Sequence, residues 1–129
     1  MQFENKYYIM KSRMREIRTY GSERGIHSDM YVYLINIVAM ELKRRGYEIY
    51  VGVLYNKEID FVAIKKDEKI YIQVADDISR DETFTREVTP LLKIKDAYPK
   101  ILIANTKHDA YQFEGIKIIN IANWLVEDY

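Results

Sequence analysis

Between residues 48 and 75 three strand-like runs follow one another with only short polar gaps between them, and this spacing restricts the fold more than any other feature. Glu48–Leu54 (EIYVGVL), Glu58–Ile64 (EIDFVAI) and Lys69–Ala75 (KIYIQVA) are rich in β-branched and aromatic residues, as strands are. The gaps, Tyr55-Asn56-Lys57 and Lys65–Glu68, are too short for a crossover, because parallel neighbours need a dozen or more connecting residues. An antiparallel meander is the expected result. Lys69–Ala75 is expected to be its central, most buried strand.

Helical patterns flank the meander. Met30, Leu34, Ile37, Val38 and Leu42 recur at three- and four-residue spacing, which predicts an apolar stripe on a helix from Ser28 to Arg45. Ser28 or Asp29 is the expected cap. Lys43, Arg44 and Arg45 suit the negative end of the helix dipole, and Gly46 the left-handed stop. A second helix is expected over Glu82–Lys95, capped by Ser79 or Asp81, with Phe84, Val88, Leu91 and Leu92 buried. Pro90 should kink or split it. Strands follow at Lys100–Ala104 and Ile116–Ile119, with a loop at Tyr111–Gly115 between them, and Asn120 caps a last short helix holding Ile121 and Trp124. A helix between Lys69–Ala75 and Lys100–Ala104 makes those two strands parallel neighbours. Upstream, Lys6–Ile9 reads as a short strand and residues 10–28 as irregular or partly helical. The expected fold class is therefore α/β: a mixed sheet, antiparallel meander plus parallel crossover strand, flanked by helices. Residues 1–26 are taken as an N-terminal strand and irregular segment, and 27–129 as the domain.

Composition narrows the partners. A chain of 129 residues suits one domain. Its 20 basic and 20 acidic residues cancel, so nothing draws it as a whole to nucleic acid or an anionic membrane. Cysteine is absent, which excludes disulfides and thiolate zinc sites and fits a reducing cytoplasm. No apolar run approaches the length of a membrane span. His27 and His108 stand far apart without neighbouring partners, a poor basis for zinc or nucleophilic catalysis.

This order of elements resembles the core of the PD-(D/E)XK, or restriction-endonuclease-like, nucleases. In that family a helix Glu, an Asp on the second meander strand and an acid on the third converge on Mg²⁺, and a Lys two residues beyond that acid attends the attacking water. Asp60 stands at the Asp position, while Gln73 and Ala75 stand where the second acid and the Lys are expected. One carboxylate and one amide hold Mg²⁺ weakly, since that ion wants hard oxygens in octahedral array. The runs ELKRRGYEIYVG, NKEIDFVA, KIYIQVA and RE…LLKIKDAYPK, with NKYYI upstream, are similar along most of the chain to a C-terminal domain of unknown function. Prokaryotic AAA+-type ATPases carry that domain. Its helix motif usually reads ENIVYLEL. Here it is INIVAMEL, so Ile35 takes the place of Glu. QVA is that family's own departure from the nuclease pattern.

The resemblance implies a vestigial site of Asp60 and Gln73, with Glu41 and Glu58 as further candidates and Asp60 as the one metal ligand to carry over. No G-x-x-x-x-G-K-[ST] loop is present, so an ATP-binding module must lie on a partner or elsewhere. The expected function is a non-catalytic accessory module serving an ATPase or another protein partner, with no cofactor. If the domain is an excised piece, an uncovered surface invites self-association. The alternatives are a Mg²⁺-dependent nuclease with relocated ligands, and a non-cleaving nucleic-acid binder using Lys43, Arg44 and Arg45. Against each stands an ordinary reading: a hydrogen-bond network for Gln73, a helix terminus for Lys43–Arg45, an ion pair for Arg86-Glu87.

Overall fold

A computed structural model describes residues 2–5, 25–54 and 57–127. Its strands are β1 (Gln2–Asn5), β2 (Glu48–Leu54), β3 (Lys57–Lys65), β4 (Glu68–Ala75), β5 (Lys100–Ala104), β6 (Tyr111–Phe113) and β7 (Ile116–Asn120). Its helices are α1 (Gly25–Arg44), α2 (Asp81–Leu92) and α3 (Ile121–Val126). Among the described residues the strands form one seven-stranded sheet in the order β1-β2-β3-β4-β5-β7-β6. β2, β3 and β4 are the antiparallel meander, and β5 lies parallel to β4 and to β7. The α/β class and the mixed sheet are as the sequence pattern predicts.

Alternation along β4 divides the core. Ile72 and Val74 face one layer, where Val38 and Leu42 of α1 and Trp124 of α3 complete the packing with Phe61 and Ile103. Tyr71 and Ala75 face the other, with Val88 and Leu91 of α2 and Leu102, Ile116 and Ile118. Both layers are nearly dry, which is what makes the central strands read as continuous apolar runs. No described helix is long and apolar enough to cross a membrane.

Several boundaries differ from expectation. α1 begins at Gly25, three residues before the predicted cap. Ser28 and Asp29 are thus inside the helix, and Met30 is 40% exposed instead of lying on the core stripe. The strand expected over residues 6–9 lies outside the described residues, and Gln2–Asn5 pairs antiparallel with β2 at the sheet edge. α2 is capped by Arg80, not by Ser79 or Asp81, and without a side-chain hydrogen bond, because a guanidinium has no acceptor to offer the first-turn amides. α2 ends at Leu92. Pro90 does not split it, since the ring sits two residues before the end and forfeits a single backbone bond there.

The loop expected at Tyr111–Gly115 is instead a hairpin. Phe113 pairs with Ile116, and the two residues between, Glu114 (φ 48°) and Gly115 (φ 85°), are both left-handed. That is the signature of a type I′ turn. A sequence reading looks for Asn-Gly there, and Glu-Gly conceals the turn. Asn tolerates the left-handed region better than Glu, so Glu114→Asn is expected to stabilise the fold by about 0.5–1 kcal/mol, read as a rise in thermal midpoint.

Candidate functional site

The candidate site is built on a break in β3. Its pairing with β2 runs from Glu48↔Ile64 to Tyr50↔Val62 and resumes at Gly52↔Ile59, so Asp60 and Phe61 oppose Val51 alone. This is a β-bulge, a device that re-aims a side chain. The break in alternation shows in the core: Ile59 packs on the α2 side, and Phe61 packs on the α1 side.

At the bulge the regular β3–β4 ladder ends, its last pair being Phe61↔Ile72. Two side chains take over from the missing backbone bonds. Asp60 Oδ2 accepts from the Val74 amide at 2.9 Å, and Gln73 Oε1 accepts from the Asp60 amide at 2.7 Å. The hydroxyl of Tyr31, on α1, donates to Asp60 Oδ1 at 2.5 Å. The Gln73 amide nitrogen donates to the Glu87 carbonyl of α2 at 3.4 Å. Asp60 is 7% exposed and Gln73 4%. Among the described residues no buried side-chain nitrogen or oxygen lacks a partner, as a buried polar cluster requires.

A cleft of about 540 Å³ opens beside this cluster, lined by Tyr31, Ala75, Asp76, Arg80, Thr83 and Glu87, with Asp77 and Arg86. Glu87 is the electrostatic outlier. Burial, and then the charge of Asp60, push its carboxyl up to about 7 from an ordinary 4.5. Arg86, with its Nε 3.5 Å from Glu87 Oε1, offsets only part of this. The ordinary ion pair expected at Arg86-Glu87 is thus present, but it does not dominate the titration.

Asp60 and Gln73 meet as predicted, and Ala75 lines the cleft beside them. Glu41 stands elsewhere. It binds Arg44 (2.5 and 2.9 Å) and Arg45 (2.9 Å), ten residues beyond Tyr31 on α1, which is roughly 15 Å along the axis. Chiefly through its bond to Arg44, its carboxyl is held down at about 2. Glu58 is exposed opposite Val53. Ile35, which the resemblance sets in the place of a helix Glu, is buried in the core. Arg45 is also turned inward: it donates to the carbonyls of Trp124 (2.7 Å) and Glu127 (3.3 Å) and stacks on the Trp124 ring at 4.4 Å. Its guanidinium clasps α3, so of the basic run only Lys43 and Arg44 are exposed. Tyr31 and Glu87 were not foreseen. One caps Asp60 through a contact 29 residues apart in sequence, and the other looks like a helix-surface charge until the helix is docked.

These groups do not fit the divalent ion that the nuclease resemblance implies. Both oxygens of Asp60 already accept hydrogen bonds from within the fold, and Gln73 Oε1 is taken by a backbone amide. Among the described residues no group of three or more His, Cys, Asp or Glu side chains is arranged to hold a metal.

No family model matches the chain, and no solved structure matches it. It is similar to an uncharacterized protein of Haemophilus influenzae, 40% identical over 122 residues. The match covers 95% of this chain and 29% of that relative, so the chain spans less than a third of the relative's length.

Proposed function

We propose that the chain is a degenerate restriction-endonuclease-like module that serves an ATPase or another larger protein without cutting nucleic acid itself. One observation carries this reading. At the family's catalytic positions the amide of Gln73 accepts from the Asp60 backbone, while the Asp60 carboxylate accepts from the Val74 backbone and from Tyr31, so both work as sheet-building groups. Phosphodiester hydrolysis needs negative oxygens free to seat a cation and a base to attend the water. Here Ala75 fills the base position. The share of the relative that aligns, 29%, fits a unit carried on a longer chain. The neutral charge balance and the inward Arg45 weigh against a nucleic-acid track.

Incubation with circular duplex and single-stranded DNA and with RNA, in Mg²⁺ or Mn²⁺, is the test. We expect no cleavage above a no-protein control. Metal-dependent nicking that disappears in Asp60→Asn would reverse the assignment. The ATPase partnership is read separately: the tagged chain, isolated from its own host, should retain a nucleotide-hydrolysing protein with a phosphate-binding loop. Retention of none removes that half of the proposal.

A further inference from the structure

Helix α1 is apolar on two sides. Leu34, Val38 and Leu42 are buried in the core. Round the helix from them, Met30, Tyr33, Ile37 and Met40 follow at spacings of three, four and three residues, the repeat of a two-helix seam. Met30 is 40% exposed, Tyr33 69% and Met40 73%. Three of the six large exposed hydrophobics among the described residues therefore lie on this single stripe. A contiguous apolar patch on the outer side of a helix marks an interface.

We propose that a second copy of this chain covers the stripe, with the two α1 helices antiparallel. The placement of charge selects this partner and this direction. Asp29, Asn36 and Lys43 stand seven residues apart along one flank of the seam. Lay two such helices antiparallel, with Met30 against the partner's Met40 and Tyr33 against the partner's Ile37. Each Asp29 then comes beside the partner's Lys43, and the two Asn36 side chains meet at the two-fold axis. A parallel pair gathers both Asp29 at one end and both Lys43 at the other, without opposite-charge contacts. The self-complementary arrangement is what an isologous interface demands. It stands independently of the reading of Asp60.

A contact of one helix per partner falls below the roughly 1,200 Å² of tight complexes, so a dissociation constant on the order of micromolar is expected. Sedimentation of the full chain across about 1–200 µM at low salt spans that range. We expect a monomer–dimer equilibrium that Tyr33→Glu abolishes while circular dichroism stays unchanged. Asp29→Lys or Lys43→Asp alone should each weaken the dimer about tenfold, since either sets like charges together. The two combined should bring it back to within about threefold of the parent, because the pairs are restored with reversed sign. A monomer at every concentration, a dimer indifferent to Tyr33→Glu, or a double reversal no better than the single ones would overturn the proposal.

Discussion

Asp60→Ala should unfold about 10 °C below the parent protein, whereas Asp60→Asn should stay within a few degrees of it. The alanine strands the buried Val74 amide and takes the acceptor from the Tyr31 hydroxyl, while Gln73 keeps its bond to the backbone amide of residue 60. A buried donor left unsatisfied costs about 1–3 kcal/mol, and loss of the bond from the part-buried Tyr31 brings the total to on the order of 3 kcal/mol, partly offset because the Asp60 charge no longer opposes Glu87. Asparagine keeps one oxygen for the Val74 amide and turns its nitrogen toward the Tyr31 oxygen, so the network closes again. The comparison separates a structural acid from a catalytic one. Removing an acid held in place for chemistry is usually neutral or stabilising, so an alanine variant as stable as the parent would contradict the network reading. Thermal unfolding of the three proteins at one pH decides it.

Glu87→Gln should have the opposite effect, growing as pH rises above 4.5 and complete above about 7. The Glu87 carboxyl titrates near 7 when folded and near 4.5 when unfolded. Between these values the native state holds a proton that the unfolded state has lost, so this group's contribution to stability is complete below 4.5 and falls away as pH rises through 7. The side chain is 18% exposed, so solvent screens it only in part, and the loss amounts to roughly 2–3 kcal/mol at pH 8. Glutamine keeps the shape and removes the charge. The variant should match the parent at pH 4.5 and melt about 6–10 °C higher at pH 8. A difference that does not change with pH would show that the carboxylate is not opposed by burial and by Asp60. The Glu41 carboxyl, held down by Arg44 and Arg45, works in the reverse sense. Its contribution is present above 4.5 and is lost as pH falls toward 2.

Much of the framework is legible in the residues themselves. The meander follows from gaps too short to cross over, and the parallel placement of β5 follows from the helix that precedes it. Gly46 ends α1 at φ 93°, and Asn120 caps α3 by accepting from the Ala122 and Asn123 amides. Such signals are local and leave a mark in the chain. The β6 strand left none, because a three-residue run with only Phe113 partly buried is too short to show a period, and a Glu at the first turn position hides the turn. The site divides in the same way. Asp60 and Gln73 are marked by strand position, but the bulge that turns Asp60 into its neighbour's backbone depends on a register that no short window contains. Glu87 becomes visible only once α2 lies across β4 and brings its carboxyl under the influence of Asp60. Arg45 reads as a solvated terminus until α3 folds over it.

The bulge at Asp60 has a consequence for how such a domain can change over time. An acid that serves as a rung of the sheet cannot be discarded cheaply by mutation, so its persistence in related chains reports on stability and is not by itself a sign of activity. Turning its oxygens to any other use means giving up the bonds to the Val74 amide and the Tyr31 hydroxyl, so several substitutions must arrive together before any of them helps. Position 60 is tied in this way to the sheet that it closes.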